Sequence, residues 1–298
     1  MSFTSEKVIS DKSFFAKKIA VYAAFTKMRL ASLVVLSAVL GYLIGADNYQ
    51  LTDILVLSLG GFLVTGSSNA FNQIMEKDLD ALMNRTKNRP LPTNRLNLIE
   101  GYWFASIIGL AGILLLWFYF GALAGILATL ALGMYVLIYT PLKRISPIAV
   151  FAGAFPGAIP PMLGWVAATG HFGLEAGLLF LTQFFWQFPH FWAIAWKIDE
   201  DYRKAGFYLL PLKSGKNKLS ALIIFAYTLF MIPVSVLPFL FGHIGVLGLA
   251  TLIVLDIIFL IPALQLLQKQ DDKAALKLMF ASFIYLLGMQ IIWWIDKI

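Results

Sequence analysis

The sequence contains no cysteine, which excludes disulfides, thiolate metal sites and cysteine nucleophiles. Charge is scarce too: Asp, Glu, Lys and Arg make up 13% of the 298 residues, against 60% that are hydrophobic, and the mean hydropathy is +0.80. A soluble domain needs more charge than that on its surface, so this composition belongs in lipid. There is no Pro/Ser-rich linker and no low-complexity tract. One domain is therefore expected over residues 27–298, behind a polar arm of residues 1–26. That arm lacks the short apolar run and small-residue cleavage site of a secretory signal. It holds Glu6 and Asp11 among Lys7, Lys12, Lys17 and Lys18, and its first Arg comes only at Arg29, so neither cleavage nor mitochondrial import is expected.

What the sequence does hold is long apolar runs, bounded approximately at 30–46, 53–75, 100–120, 122–140, 146–168, 174–196, 219–241, 244–268 and 274–295. Most reach the roughly 20 residues that a helix rising about 1.5 Å per residue needs to cross about 30 Å of hydrocarbon. The expected fold is all-α integral membrane, with about nine transmembrane helices around a central cavity. Eight spans are the competing count, because only Gly121 suggests a break between the third run and the fourth. Charge favours nine: 22 of the 23 Lys and Arg residues lie in the arm or in the loops after spans two, four, six and eight, leaving Lys297 alone on the other side. Because positive charge is retained inside, the N-terminus and these loops are expected in the cytoplasm, at a bacterial inner membrane. The net charge of +7 is distributed around the spans in this way and does not imply a nucleic-acid partner.

Acidic residues gather at two helix ends. Asn72, Glu76 and Asp80 recur at i, i+4 and i+8, which puts an amide and two carboxylates on one helix face at the cytoplasmic end of span two. Asp78, on the other side of that helix, is expected to hold a basic neighbour. Asp199, Glu200 and Asp201 close span six in the same way. Carboxylates bunched like this repel unless a cation lies between them, and hard oxygen donors beside an anionic substrate suit Mg²⁺. Bases follow both clusters, Arg85, Lys87 and Arg89 after the first and Arg203 and Lys204 after the second, in positions to clamp phosphate oxygens. Tyr139 and Lys143, at i and i+4, add a phenol and an ammonium at the end of span four. Taken singly, each of these is also an ordinary feature of a membrane boundary; two matching ends on one face argue for a site.

The run Asn72-Gln-Ile-Met-Glu-Lys-Asp-Leu-Asp80, continuing through Met83-Asn-Arg-Thr-Lys-Asn-Arg-Pro-Leu-Pro92, resembles the first aspartate-rich motif of the UbiA-type intramembrane prenyltransferases. Tyr139-x3-Lys143 and the acidic motif ending in Asp201 resemble the other two motifs of that superfamily. Within it the likeness is to the haem-farnesylating branch, carried by Tyr139-Thr-Pro-Leu-Lys-Arg144, Gly157-Ala-Ile-Pro-Pro161 with Gly164-Trp165, Trp186-Gln-Phe-Pro-His-Phe191 and Asp201-Tyr202-x-x-Ala205-Gly206. Two positions depart from the pattern. Glu76 stands where Asp is more usual, and Ala149 stands where an Asn is expected.

The resemblance implies transfer of farnesyl from farnesyl diphosphate to the vinyl group of haem b. It implies Mg²⁺ held by Asn72, Glu76, Asp80, Asp199 and Asp201, with Tyr139 and Lys143 among the catalytic residues and Arg85, Lys87, Arg89, Lys143 and Arg203 on the diphosphate. A haem-binding wall is expected from His190, Trp165 and Trp186, with Phe188, Phe191 and Trp192 as further aromatics. His190 is an ionisable group at depth in a span, able to ligate iron or to bond a neighbouring helix. Asp256, also inside a span, has no partner visible in the sequence. Prenylation of an aromatic quinone precursor and a non-enzymatic transporter or lipid scaffold are the alternative readings. A haem-handling partner in cytochrome oxidase assembly fits the resemblance, with no residue here to identify it.

Overall fold

The computed structural model describes residues 16–298; the start of the arm, with Glu6, Lys7, Asp11 and Lys12, lies outside the described residues. The described chain is all-helical, with one isolated bridge between Ile244 and Lys297. The helices are α1 (16–26), α2 (Met28–Gly45), α3 (Leu51–Met75), α4 (Lys77–Leu82), α5 (Leu98–Phe120), α6 (Ala122–Gly133) and, after a π-helical turn at Met134–Tyr139, α7 (Thr140–Leu142). They continue as α8 (Ala149–Thr169), α9 (Leu174–Lys204), α10 (Lys218–Leu229), α11 (Met231–Leu240), α12 (Val246–Lys269) and α13 (Asp272–Ile295).

Among the described residues, eight helical segments are long and apolar enough to cross a membrane, the run through α6 and α7 and the pair α10–α11 each counting as one. The 31-residue α9 is the most polar of the long helices, carrying Gln183, Gln187 and His190 in its buried middle, and it packs among α8, α10, α11 and α13. The boundary between the third and fourth apolar runs is a real break. Gly121 sits at φ +94°, a backbone region that side chains avoid, and both α5 and α6 end on it.

Breaks and ends have local causes. Pro233 removes a helical donor just after the α10–α11 junction at Phe230, and Pro141 does the same beyond the π turn, where Thr140 Oγ1 donates to the carbonyl of Tyr135 at 2.9 Å. Asn97, Asn217 and Asp271 cap α5, α10 and α13 by accepting backbone N–H groups at 3.0, 2.8 and 2.7 Å. At the α2–α8 crossing a Cβ on Gly41 would lie 2.0 Å from the Pro161 carbonyl oxygen, and one on Gly164 would lie 1.8 Å from that of Ala38. Only glycine permits this backbone approach, the small-residue packing on which helices in lipid rely.

Several polar residues inside the bundle pair across helices. Gln290 Nε2 donates to Ser37 Oγ at 2.7 Å, joining α13 to α2, and Gln187 Nε2 donates to the carbonyl of Ala154 at 3.0 Å, joining α9 to α8. Asp256 finds its neighbour in Ser235, whose hydroxyl donates to it at 2.5 Å, so this buried carboxyl ties α12 to α11.

Candidate active site

Both acidic motifs, the π-helical turn and the N-terminal helix meet at one end of the bundle. Asn72, Glu76 and Asp80 are 2%, 5% and 0% exposed, so the face expected from their spacing is buried rather than solvated. The helix does not run straight through them. It breaks at Glu76 (φ −104°, ψ 11°) and restarts as α4, with the Asp80 N–H still bonded to the Glu76 carbonyl at 2.7 Å. Asp78 is exposed and has no ion pair among the described residues, which corrects the expectation that it holds a basic neighbour: α4 turns it outward to water.

Each buried acid carries a cation. Both oxygens of Asp80 accept from Arg89 Nη1 at 2.7 Å. Glu76 forms an ion pair with Lys143, itself 7% exposed. Lys143 is brought there by the π turn, with its ammonium 4.9 Å from the centre of the Tyr139 ring and 5.5 Å from that of Phe207. Asp199 pairs with Arg203 at 2.8 Å. Burial pushes the Asp80 carboxyl above the usual carboxylate range, against the opposing pull of Arg89.

Asp201 joins the two motifs. One of its oxygens accepts from the Asn84 N–H at 2.8 Å and the other from the Arg85 N–H at 3.1 Å, while Lys204 lies at 3.2 Å. The end of α9 thereby holds the loop that follows α4, and the Arg85 guanidinium sits 5.7 Å above the Tyr202 ring. Arg85 and Lys87 are exposed on that loop, turned outward from the buried acids.

Lys27 is the residue that sequence reasoning missed. Asn69 and Gln73, one turn apart on α3, donate to the free carbonyls of Thr26 at 3.1 Å and of Ala24 and Phe25 at 3.2 and 2.7 Å, which satisfies the end of α1. The chain then passes through Lys27 in the left-handed region (φ 52°, ψ 54°), and its ammonium reaches Asn72 Oδ1 at 3.1 Å. Burial, with Arg89 and Lys143 nearby, pushes that ammonium down to about 7. The signal was a lone lysine at the edge of the first span, on the same end of the bundle as the acidic motifs.

The aromatic residues do not form one wall. Trp186 and His190 stack with ring centres 4.5 Å apart, and Phe191 and Phe283 meet the imidazole edge-on. Phe188 and Trp192 group instead with Tyr227. Trp165 lies near the start of α9, against His171 and Gly173. Trp186 follows Gly173 by 13 residues, roughly 20 Å along a helix, so the structure separates Trp165 from His190 and corrects their expected grouping. Ala149 is fully buried on α8 and brings no polar atom to the site.

The donors fit a hard divalent cation in kind: they are carboxylate and amide oxygens, buried and close to bases. Among the described residues, however, no three acidic or histidine side chains converge on a metal position, and Asp80, Glu76 and Asp199 are paired with arginine or lysine.

The model of the UbiA prenyltransferase family matches residues 34–287. The chain belongs to this family. A protoheme IX farnesyltransferase of Christiangramia forsetii is 46% identical over 282 residues, 93% of each chain. A second, of Cytophaga hutchinsonii, is 45% identical over 285 residues, 95% of this chain and 99% of its own. Among solved structures, a digeranylgeranylglyceryl phosphate synthase superposes with a TM-score of 0.78 at 21% identity, covering 94% of this chain and 98% of its own. A UbiA homolog from Archaeoglobus fulgidus bound to GPP and Mg²⁺ does so with a TM-score of 0.64 at 12% identity, covering 91% and 99%. These structural likenesses establish the fold of this UbiA prenyltransferase. Its family makes the chain an enzyme, a multi-pass bacterial membrane protein, and sets the transporter and scaffold readings aside.

Proposed function

We propose that this prenyltransferase moves the farnesyl group of farnesyl diphosphate to the vinyl group of haem b, giving haem O and diphosphate, with Mg²⁺ as cofactor. The observation that carries the reading is the single charged site into which Asp201 ties both acidic helix ends. The relatives described above, matched over nearly their whole length, supply the acceptor.

The charge balance of the site suits a metal diphosphate. Mg²⁺ arriving alone would meet cations already bound to the carboxylates, and diphosphate alone would meet the carboxylates. With both present, Lys27, Arg89, Lys143 and Arg203 would hold phosphate oxygens, and Asn72, Glu76, Asp80, Asp199 and Asp201 would hold the metal. Bound Mg²⁺ supplies neutralisation of the negative charge that grows on the leaving diphosphate. Lys27, Arg89, Lys143 and Arg203 surround that position, with Arg85 and Lys87 at its rim. The buried Nδ2 of Asn72, without a partner among the described residues, has a donor free for an oxygen of the ligand.

The allylic C1–O bond breaks and its electrons leave with diphosphate. The π face of Tyr139 now faces the Lys143 ammonium and would be open to the allylic cation once Lys143 turns to the phosphate oxygens. The vinyl π electrons then bond to C1, and the resulting cation beside the porphyrin takes up water and releases a proton, giving the hydroxyl. The same reading counts α9 as a ninth span and puts the N-terminus and the site on the cytoplasmic side of the inner membrane. The gathering of 22 of the 23 Lys and Arg residues in the arm and the loops on that side supports it.

The test is mass spectrometry of membranes holding the protein, supplied with haem b, farnesyl diphosphate and Mg²⁺. Haem O that disappears with chelator is expected. Prenylation of a phenolic acceptor with no haem O would overturn the choice of acceptor in favour of a quinone precursor.

A further inference from the structure

His190 belongs to neither acidic motif. It is 7% exposed, stacked on Trp186 and held edge-on by Phe283, so its ring plane is fixed from two sides. Nδ1 lies 2.7 Å from the hydroxyl of Ser282, on α13. That hydroxyl has one proton, and the carbonyl oxygen of Met279, 2.5 Å from the serine oxygen, is too close to sit there without it. A serine oxygen that has spent its proton can only accept, so the hydrogen bond to His190 requires the proton to sit on Nδ1. Trp186 Nε1 donates to the Ser282 carbonyl at 2.7 Å, so the residue that orients the imidazole is itself fixed by the helix that carries the imidazole. Nε2 has no partner among the described residues, and it is not sealed in the protein as Trp192 Nε1 and His243 Nε2 are.

We propose that Ser282 is a positioning residue that holds His190 as its Nδ1–H tautomer, so that Nε2 offers its lone pair to the iron of the acceptor haem. The proposal rests on the haem reading above. A histidine that ligates a metal ordinarily donates its other ring N–H to an acceptor, and that orienting partner sets both the tautomer and the ring direction, the part the Ser282 oxygen takes here. His190 lies nine residues before Asp199, roughly 13 Å along the helix, so an iron held at the imidazole turns the edge of the macrocycle, with its vinyl group, toward the acidic end where C1 of the farnesyl diphosphate would lie.

The first measurement needs no haem. In protein labelled with ¹⁵N-histidine and embedded in bilayers, His190, identified by the signal lost in His190→Gln, is expected to carry its proton on Nδ1. In Ser282→Ala the Nε2–H form should appear, and in Ser282→Thr the native tautomer should return. An Nε2–H imidazole in the unaltered protein would overturn the proposal.

The second measurement is titration with ferric haem b, read by its Soret band. Unaltered protein should give a histidine-ligated spectrum. Ser282→Ala should weaken haem binding roughly 10-fold and Ser282→Thr should restore it, as expected for loss of a partner that orients a metal-binding histidine. A spectrum unchanged in His190→Gln would overturn the ligand role, and haem O formation by the unaltered protein would show that the acceptor reading nevertheless stands.

Discussion

The charged end of the bundle and the pocket around His190 solve the problem of polarity in a membrane differently. At the charged end, carboxylates and bases neutralise one another pair by pair, so the site is finished only by a ligand that brings both signs of charge. Around His190 one neutral imidazole is held by a hydroxyl and aromatic rings, a setting that favours a large flat partner and tolerates no spare charge. On the proposed function, the first region receives the leaving group and the second the acceptor. Substitutions in one should therefore leave binding in the other intact.

The largest effect should come from the charged end. Asp80→Ala leaves the half-buried Arg89 without its partner, and Asp201→Ala frees the loop after α4. Each should lower haem O formation by about 10³-fold while the protein still inserts and elutes as a single species; retained activity in both would remove the site assignment. Lys143→Ala should follow, with kcat down roughly 10²-fold and the haem titration unchanged, which would separate the two regions cleanly. Lys27→Met should raise the KM for farnesyl diphosphate by roughly 10-fold, since it removes one charged donor. An unaltered KM would confine Lys27 to bonding Asn72.

Metal binding sharpens the comparison further. By calorimetry, Mg²⁺ alone should bind weakly and inorganic diphosphate should strengthen it roughly 10-fold, a coupling of ordinary size that must be reciprocal. Equal affinity with and without diphosphate would contradict the exchange of ion-pair partners. The smallest effect belongs to Trp165→Phe, which should leave the Soret band of bound haem unchanged because that indole lies near the start of α9.

Legibility followed the range of the forces involved. The helices were readable because an apolar run of membrane length has few other fates, and Gly121 marked the one doubtful boundary with a backbone angle that only its own residue type takes easily. Asn72, Glu76, Asp80, Asp199 and Asp201 were readable as a group because two matching polar helix ends on one face are unusual, although either alone is ordinary. Asp78 was misjudged because the helix was extrapolated through Glu76, where it breaks. Trp165 was grouped with His190 because both sit in matching motifs, although their helices hold them far apart.

The sequence by itself determined the solvent, the helices and the residue types of the charged end, since these depend on local composition and spacing along the chain. Only the tertiary structure decided who partners whom. Lys27 on Asn72, Lys143 on Glu76, Asp201 on the amides of Asn84 and Arg85, and Ser282 on His190 join residues between 45 and 117 positions apart. Such pairings are set by how whole helices cross and where they kink, and no local pattern along the chain encodes them.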